Sequence, residues 1–389
     1  MNYNLDYVRP SQRALLQPEI EKSYFSDNSL NCKCYENAYV LPPNGAGVGG
    51  VAMKNFDFIP TTAFEGFEQR KFDGQGSVYN DCDVIYLGYF YHVWGHYFTD
   101  NIKRFWFLYT EKAKKLIGNG CRIVFISCFN KEINENGHKL YSMADVDSST
   151  FEHITKITQF RRVYVPDISF YTNSSVEFLS ERFYTTEFCQ PIQRIREKIK
   201  PTIKYDKVYF SRTGLSGYYL REYGEWKIES IFRKKGYEII RPETLSLEDQ
   251  LSILANCKHF ATTEGSIAHN AIFCSPGTEV VIIRKADYVN YYQLAINQLA
   301  DLNVIYIDAH RSVPPFGDRH IWAGPFYLCI TSYILKWSGQ LPFFVPYFLL
   351  PSYWWYVLRR NPFVLRKIAN RKIVHWLERN YWNYSANKA

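Results

Sequence analysis

The chain has 389 residues, 47% of them hydrophobic and 18% aromatic, with a net charge of +8. That length suggests two domains, or two with an extension, each able to bury a large core. The positive balance suits an acidic ligand, an anionic membrane surface or nucleic acid, but zinc-finger spacing, an RNA-binding aromatic signature and a long basic run within the first 300 residues are all missing, so nucleic acid is set aside as a partner.

The N-terminal stretch MNYNLDYVRPSQRALLQPEIEK lacks a basic start followed by an apolar run, which points to a cytoplasmic protein. The nine cysteines are scattered and odd in number, as expected for small core residues in a reducing compartment. Gly45–Gly50 (GAGVGG) lies outside any strand–GxGxxG–helix context and is read as a loop. Val84–Tyr89 reads as a strand, Gly95–Ile117 as one long helix, Arg122–Ser127 as a strand, Phe151–Ile157 as a helix and Val163–Pro166 as a short strand. The polar, proline-bearing stretch KIKPTIKYD near residue 200 marks a domain boundary. Beyond it the pattern alternates. Strands are expected at Lys207–Ser211, Tyr237–Arg241, Lys258–Thr263, Glu279–Ile283 and Val304–Ile307. Helices are expected at Trp226–Lys235, Leu247–Ala255 with Ser246 as its cap, Ile267–Phe273 and Val289–Leu299. This alternation implies a parallel sheet covered by helices on both faces. The expected units are 1–200, 201–315 and a tail over 316–389. In the tail, Leu341–Leu358 carries no charge and is interrupted by Pro342, Pro346 and Pro351, and a basic stretch follows. The prolines argue against a membrane span. Two readings stay open: contact with an anionic membrane surface, and packing on the second unit.

Three constellations can carry chemistry. His96, Asp100 and Arg104 are spaced four apart, which on a helix puts them on one face, embedded among aromatics that include His92 and Trp94. A His and an Asp so placed can act as a general base toward a hydroxyl. Ser211-Arg212 ends a strand at the edge where ligands sit in such sheets, and an Arg there can grip a diphosphate. Glu264-Gly265-Ser266 is a turn between a strand and an expected helix, and free N–H groups at such a helix start favour an anion. Arg221 and Glu225 lie four apart, and Glu243 and Gln250 can reach a ribose or a base edge. Asp81-Cys82-Asp83 is the one metal-clamp-like spacing, but it lies before a strand, so no metal or other cofactor is expected.

In order along the chain, GHYFTDNIKRFW, KVYFSRTGLSGYYLREYGEW and GYEIIRPETLSLEDQLSILANCKHFATTEGSIAHNAIFCSPGTEVVII resemble the family 61 glycosyltransferases. The resemblance covers roughly residues 80–310. It implies an α/β fold of GT-B type: two Rossmann-like domains facing across a cleft, here with a C-terminal aromatic and basic helical extension. It implies inverting, metal-independent transfer of a hexose or pentose from a nucleotide sugar, UDP-linked, to a glycan or lipid-linked glycan acceptor. Bacterial members of this kind suggest capsule or lipopolysaccharide assembly, with the enzyme peripheral on the inner face of the cytoplasmic membrane. Carried onto this chain, Asp100 is the base with His96 orienting the acceptor, and His96 as the base is the alternative. The donor site comprises Ser211, Arg212, Arg221, Glu225, Glu243, Gln250, Glu264, Gly265, Ser266 and Asn270, and the acceptor side comprises Arg104, His92 and Trp94. The chain departs from the family at one point. Many members have His-Gly-Ala-Gly where this chain has Glu264-Gly265-Ser266-Ile267, which leaves room for a second reading as a catalytically inactive scaffold of the same fold.

Overall fold

A computed structural model describes residues 1–43, 49–63, 72–172, 181–202, 204–313, 324–341 and 350–360. One sheet has the strand order Asn2–Tyr7, Asn303–Asp308, Glu279–Arg284, His259–Thr263, Lys207–Phe210, Glu238–Ile240. Every neighbouring pair in it is parallel. Val280–Ile283 is fully buried along its whole length, as a strand covered on both faces must be. Helices Glu225–Lys234, Leu247–Asn256 and Tyr291–Leu299 connect or flank these strands. Ser246 caps the second of them as expected, its hydroxyl oxygen accepting from the Asp249 N–H at 3.0 Å.

The other large sheet is centred on Val78–Phe90. It runs parallel to Arg122–Ser127 on one side and to Thr158–Pro166 on the other. Short antiparallel strands, among them Cys32–Glu36 and Tyr39–Leu41, extend it beyond Thr158–Pro166. Both halves are therefore α/β, as the sequence led us to expect. One apolar core runs through both, joining Phe90, Phe98 and Phe125 of the layer around Val78–Phe90 to Phe210, Phe260 and Ile282 of the all-parallel sheet.

Three local expectations are corrected. Gly95–Ile117 is not one helix. It is a chain of 3-10 turns, Trp94–Phe98, Asp100–Ile102 and Phe105–Tyr109, followed by the α-helix Glu111–Gly118. Tyr97, Phe98, Phe105, Trp106 and Phe107 are all buried, so the apolar residues point in too many directions for one straight amphipathic helix. Side chains also divert the backbone: the Thr99 hydroxyl donates to Gly95 O at 3.0 Å, and the Asn101 amide accepts from the main-chain N–H of Tyr91 and donates to its carbonyl. Phe151–His153 is a strand, parallel to Arg122–Ser127, and Phe125 stacks on the His153 ring at 4.8 Å. The expected helix at Ile267–Phe273 is a six-residue 3-10 segment, Ala268–Phe273.

The chain ends cross the expected unit boundaries. Strand Asn2–Tyr7 pairs with Asn303–Asp308, so the first residues complete the sheet of the second half. A buried network holds this crossing. Arg284 and Asp308, both fully buried, pair at 2.9 Å, and Arg9 reaches Asp308 at 3.0 Å and Asp287 at 2.6 Å. It fixes the turn after Arg284, which carries Lys285 and leads to Tyr292. From the tail, Phe326–Leu328 pairs in parallel with Glu222–Tyr223 and antiparallel with His310–Arg311. Helix Ser332–Ser338 packs Ile334 against the outer face of the all-parallel sheet beside Val281 and Ile307. The later basic stretch lies outside the described residues.

Candidate active site

The carboxyl ends of strands from both sheets meet at one place. Val78–Phe90 runs out into the loop bearing His92, Trp94 and His96, while Lys207–Phe210, His259–Thr263 and Glu279–Arg284 run out into Arg212, Glu264-Gly265-Ser266 and Lys285. Contact between the halves is direct. A Cβ on Gly95 would stand 3.3 Å from Ser266 Cα and 2.5 Å from His269 Nδ1, so only glycine permits this approach. The Trp94 indole N–H donates to Asn270 Oδ1 at 2.9 Å across the same seam.

His96 and Asp100 stay together even though the expected helix is broken. His96 Nδ1 is hydrogen-bonded to Asp100 Oδ2, which also accepts from the Thr99 hydroxyl at 3.2 Å. Asp100 Oδ1 accepts from the Tyr292 hydroxyl at 3.2 Å and lies 3.8 Å from Lys103 Nζ. Burial alone would raise the Asp100 pKa, but the charge and hydrogen bond of His96, then Lys103 and Thr99, outweigh it and hold the group down at about 2. Asp100 is therefore an ionised carboxylate with both oxygens engaged and no exposure of its side chain, whereas the His96 side chain is 19% exposed. The carboxylate is an acceptor, so it holds the imidazole with an N–H at Nδ1 and turns Nε2 away from itself. His269, buried between this pair and the Ser266 turn, is kept neutral: burial, then the His96 charge, pushes its pKa to about 3.

On the other side, Arg212 Nη1 and Lys285 Nζ converge on one oxygen, Glu222 Oε1, at 2.7 and 2.9 Å. Ser211 turns inward. Its hydroxyl donates to the buried Glu229 at 2.6 Å and its oxygen accepts from the Thr213 N–H, which sets the bend that presents Arg212. Glu225 is wholly buried beneath this bend and accepts from the Tyr209 hydroxyl at 3.0 Å and from the Arg212 N–H at 3.3 Å. Burial, and next the charge of Glu222, pushes its pKa up to about 8, so it is neutral at pH 7.

A pH-dependent stability follows from Glu225. At low pH both folded and unfolded states hold the proton; between about 4.5 and about 8 only the folded state does, so stability falls as the pH rises through that window. Glu225→Gln keeps the neutral shape and removes the titration. We expect melting temperatures equal to wild type at pH 4 and about 3 °C or more above it at pH 8.5. Thermal melts that coincide at both pH values would remove the assignment.

The remaining expected residues separate into those that join the site and those that brace it. Gly265 and Ser266 lie at the seam, half-buried. Glu264 is buried and does not hold Arg212, which pairs with Glu222. Burial raises its pKa to about 7 against the opposing charges of Arg284 and Lys285. Asn270 is occupied by Trp94 and by Ile267 O. Gln250 donates to the carbonyls of Pro242 and Leu245, which fixes its own helix. Glu243 is exposed and lies over Gly214 of the loop after Arg212. Arg221 is exposed, and a strand separates it from Glu225, so the pair does not share a helix face. His92 Nδ1 contacts the Tyr97 hydroxyl at 3.1 Å. Arg104 turns away from His96. Its guanidinium is fully buried, bonded to the carbonyls of Pro166 and Thr61, because the backbone breaks at Arg104 itself. Asp83, from the metal-clamp-like spacing, is paired with Arg161 and Arg162. Among the described residues no group of three or more His, Cys, Asp or Glu is arranged to hold a metal.

Glu222, Glu229, Lys285 and Tyr292 were not anticipated. Glu222 follows Arg221 directly in the sequence and Lys285 follows a strand's carboxyl end, the same positional signal that singled out Arg212.

The family described as Glycosyltransferase 61 matches residues 94–281, a stretch that runs from Trp94 through the His96–Asp100 pair and Arg212 to the strand after the Gly265 turn. This supports the resemblance read from the sequence over that stretch. No curated protein matches the chain.

Proposed function

We propose that this chain, matched by the glycosyltransferase 61 family over residues 94–281, moves a sugar with inversion from a nucleotide sugar to a hydroxyl of a glycan acceptor. What supports this most is a short series of contacts between a candidate base and a pair of cations: Gly95, next to His96, abuts Ser266, and Gly265 lies against Lys285, which shares Glu222 with Arg212. His96 Nε2 takes the acceptor hydroxyl's proton as that oxygen bonds to the anomeric carbon. The bond from that carbon to the diphosphate breaks, the nucleoside diphosphate leaves with the electron pair, and Arg212 offsets its charge. Attack from the side opposite the leaving group inverts the anomeric centre. Asp100 is the alternative base, but its burial and its low pKa favour it as the group that orients His96. In this reading side-chain cations do the work that a diphosphate-bound metal does elsewhere, and the two sheets correspond to the halves of a GT-B fold. The six-residue 3-10 segment after Ser266 offers no α-helix start, so the anion site rests on side chains.

UDP is the nucleotide we propose, with the product a cell-surface polysaccharide of capsule or lipopolysaccharide type. The inactive-scaffold reading drew on Glu264. Since that carboxyl is buried beside Arg284 and Lys285, it need not meet the phosphates, and turnover is the better reading. Helix Pro351–Arg360 packs Tyr353, Tyr356 and Val357 onto Tyr327 and Cys329 and turns Trp354 and Trp355 outward, about half exposed. No helix of the described residues is long and apolar enough to cross a membrane. We read this exposed pair with the basic stretch after it as a contact to anionic lipid on the cytoplasmic side, near a lipid-linked acceptor.

The test is a panel of nucleotide sugars read by nucleotide release, then the same donor with Arg212→Ala. We expect kcat to fall about 10²-fold. Transfer at the wild-type rate in that variant would discard the leaving-group role.

A further inference from the structure

Arg212 and Lys285 bind the same oxygen of Glu222, while Glu222 Oε2 is buried and has no hydrogen-bond partner among the described residues. Two cations therefore share one anion in a nearly closed place: the side chains of Lys285 and Glu222 are 5% and 3% exposed, and that of Arg212 is 25% exposed. Exposed Arg221 adds its charge to the same carboxylate. Nearby Glu225, largely protonated at pH 7, does not restore the balance, and buried Glu264, with its pKa raised to about 7, restores only part of it. A buried excess of positive charge is costly unless an anion completes it.

The surroundings of Lys285 fit such an anion. Its ammonium carries three donors and Glu222 takes one. The Phe326 ring covers one side, 4.5 Å from Nζ. On another side lies Gly265, with φ +115°, and a Cβ there would stand 3.4 Å from Nζ. Glycine thus keeps a side chain out of the space between the ammonium and the turn that touches Gly95 and the His96 loop. Lys285 lies beyond residue 281, where the family match ends, so nothing in that match assigns it a role.

We propose that Lys285 is a second diphosphate-binding cation of this site, paired with Arg212, and that Glu222 is a positioning residue that holds the two cations side by side. This rests on the sugar-transfer reading above. The leaving diphosphate takes the place of the missing anion: Arg212 meets it from the more open side and Lys285 from the Gly265 side. Strand Phe326–Leu328 holds Glu222 in register, Glu222 opposite Phe326, so the C-terminal segment also builds the site.

Calorimetry with inorganic pyrophosphate, UDP, GDP, CDP and uridine on the full-length protein tests this. Lys285→Met is expected to weaken pyrophosphate and nucleoside diphosphate binding about 10-fold or more while leaving the binding of uridine, which carries no phosphate, unchanged. Lys285→Arg should restore most of the loss. Glu222→Gln should weaken diphosphate binding and raise KM for the donor more than it lowers kcat. If Lys285→Met melts without cooperativity, Glu222→Gln/Lys285→Met, which removes both charges together, replaces it with the same expected loss. Wild-type diphosphate affinity in the Lys285 variants alongside a loss in Arg212→Ala overturns this inference and leaves the transfer reading standing. Wild-type affinity in both, or no diphosphate binding by the wild-type protein, overturns the two together.

Discussion

His96→Ala lowers the rate of sugar transfer about 10³-fold and leaves nucleoside diphosphate affinity within about twofold of wild type. The expectation follows from which group can take a proton. Asp100 is ionised, its side chain has no exposure, and its two oxygens are engaged by His96, Thr99, Tyr292 and Lys103. His96 is the member of the pair that reaches solvent, and Asp100 sets its tautomer. Asp100→Asn then costs about 10²-fold or more with a normal melting curve, because an amide N–H facing Nδ1 favours the wrong tautomer. The opposite ranking is decisive: if His96→Ala keeps transfer within tenfold of wild type and Asp100→Asn abolishes it, Asp100 is the base. Donor affinity is measured in each variant so that a lost base is not confused with a lost binding site.

How far the sequence reached can be judged at individual residues. The alternation after residue 206 was legible because each strand is a short apolar run bounded by polar turns, and the parallel sheet follows from that pattern. The His96–Asp100 contact was legible from their spacing, though for an incomplete reason. The four-residue spacing brings the two together even through 3-10 turns, but it does not bring Arg104 along, because the expected helix is interrupted at Thr99 and again at Arg104 itself. What broke it, Thr99 and Asn101 bonding back to the main chain, is ordinary polar sequence with no periodic signature. The resemblance puts Glu225 in the donor site, and the structure buries it beneath Arg212 as support. A carboxylate under a cation and a carboxylate facing a ligand look the same in sequence. Glu222 and Lys285 escaped notice because their partnership spans sixty-three residues and depends on the strand Phe326–Leu328, from a segment read as a tail.

That segment gives the second large effect. Ending the chain after Arg319 abolishes folding of the second half and with it all activity. Phe326, Tyr327, Leu328 and Ile334 are at most 5% exposed, and burial of each contributes roughly 1.5–3 kcal/mol. Together they amount to about 6–12 kcal/mol, comparable with the about 5–15 kcal/mol that separates a folded domain from its unfolded chain. The cut also removes the strand that holds Glu222 and the ring that covers Lys285. Ending the chain after Arg360 instead retains helix Pro351–Arg360 and its buried Tyr353 and Tyr356. That shorter cut should leave the melting temperature and donor turnover near wild type, while removing Arg366, Lys367, Arg371, Lys372 and Arg379, set among which Glu378 is the one acid. If the cations and the exposed Trp354 and Trp355 together hold anionic lipid, co-sedimentation with vesicles containing phosphatidylserine falls about 10-fold or more, since each cation near such a surface contributes about 1 kcal/mol. Trp354→Ser/Trp355→Ser in the full chain should weaken it as well, without changing turnover on a soluble acceptor. Unchanged vesicle binding in both variants would assign the outward tryptophans and the basic stretch to something other than a membrane. A folded, active chain ending at Arg319 would mean that Phe326–Leu328 does not build the site.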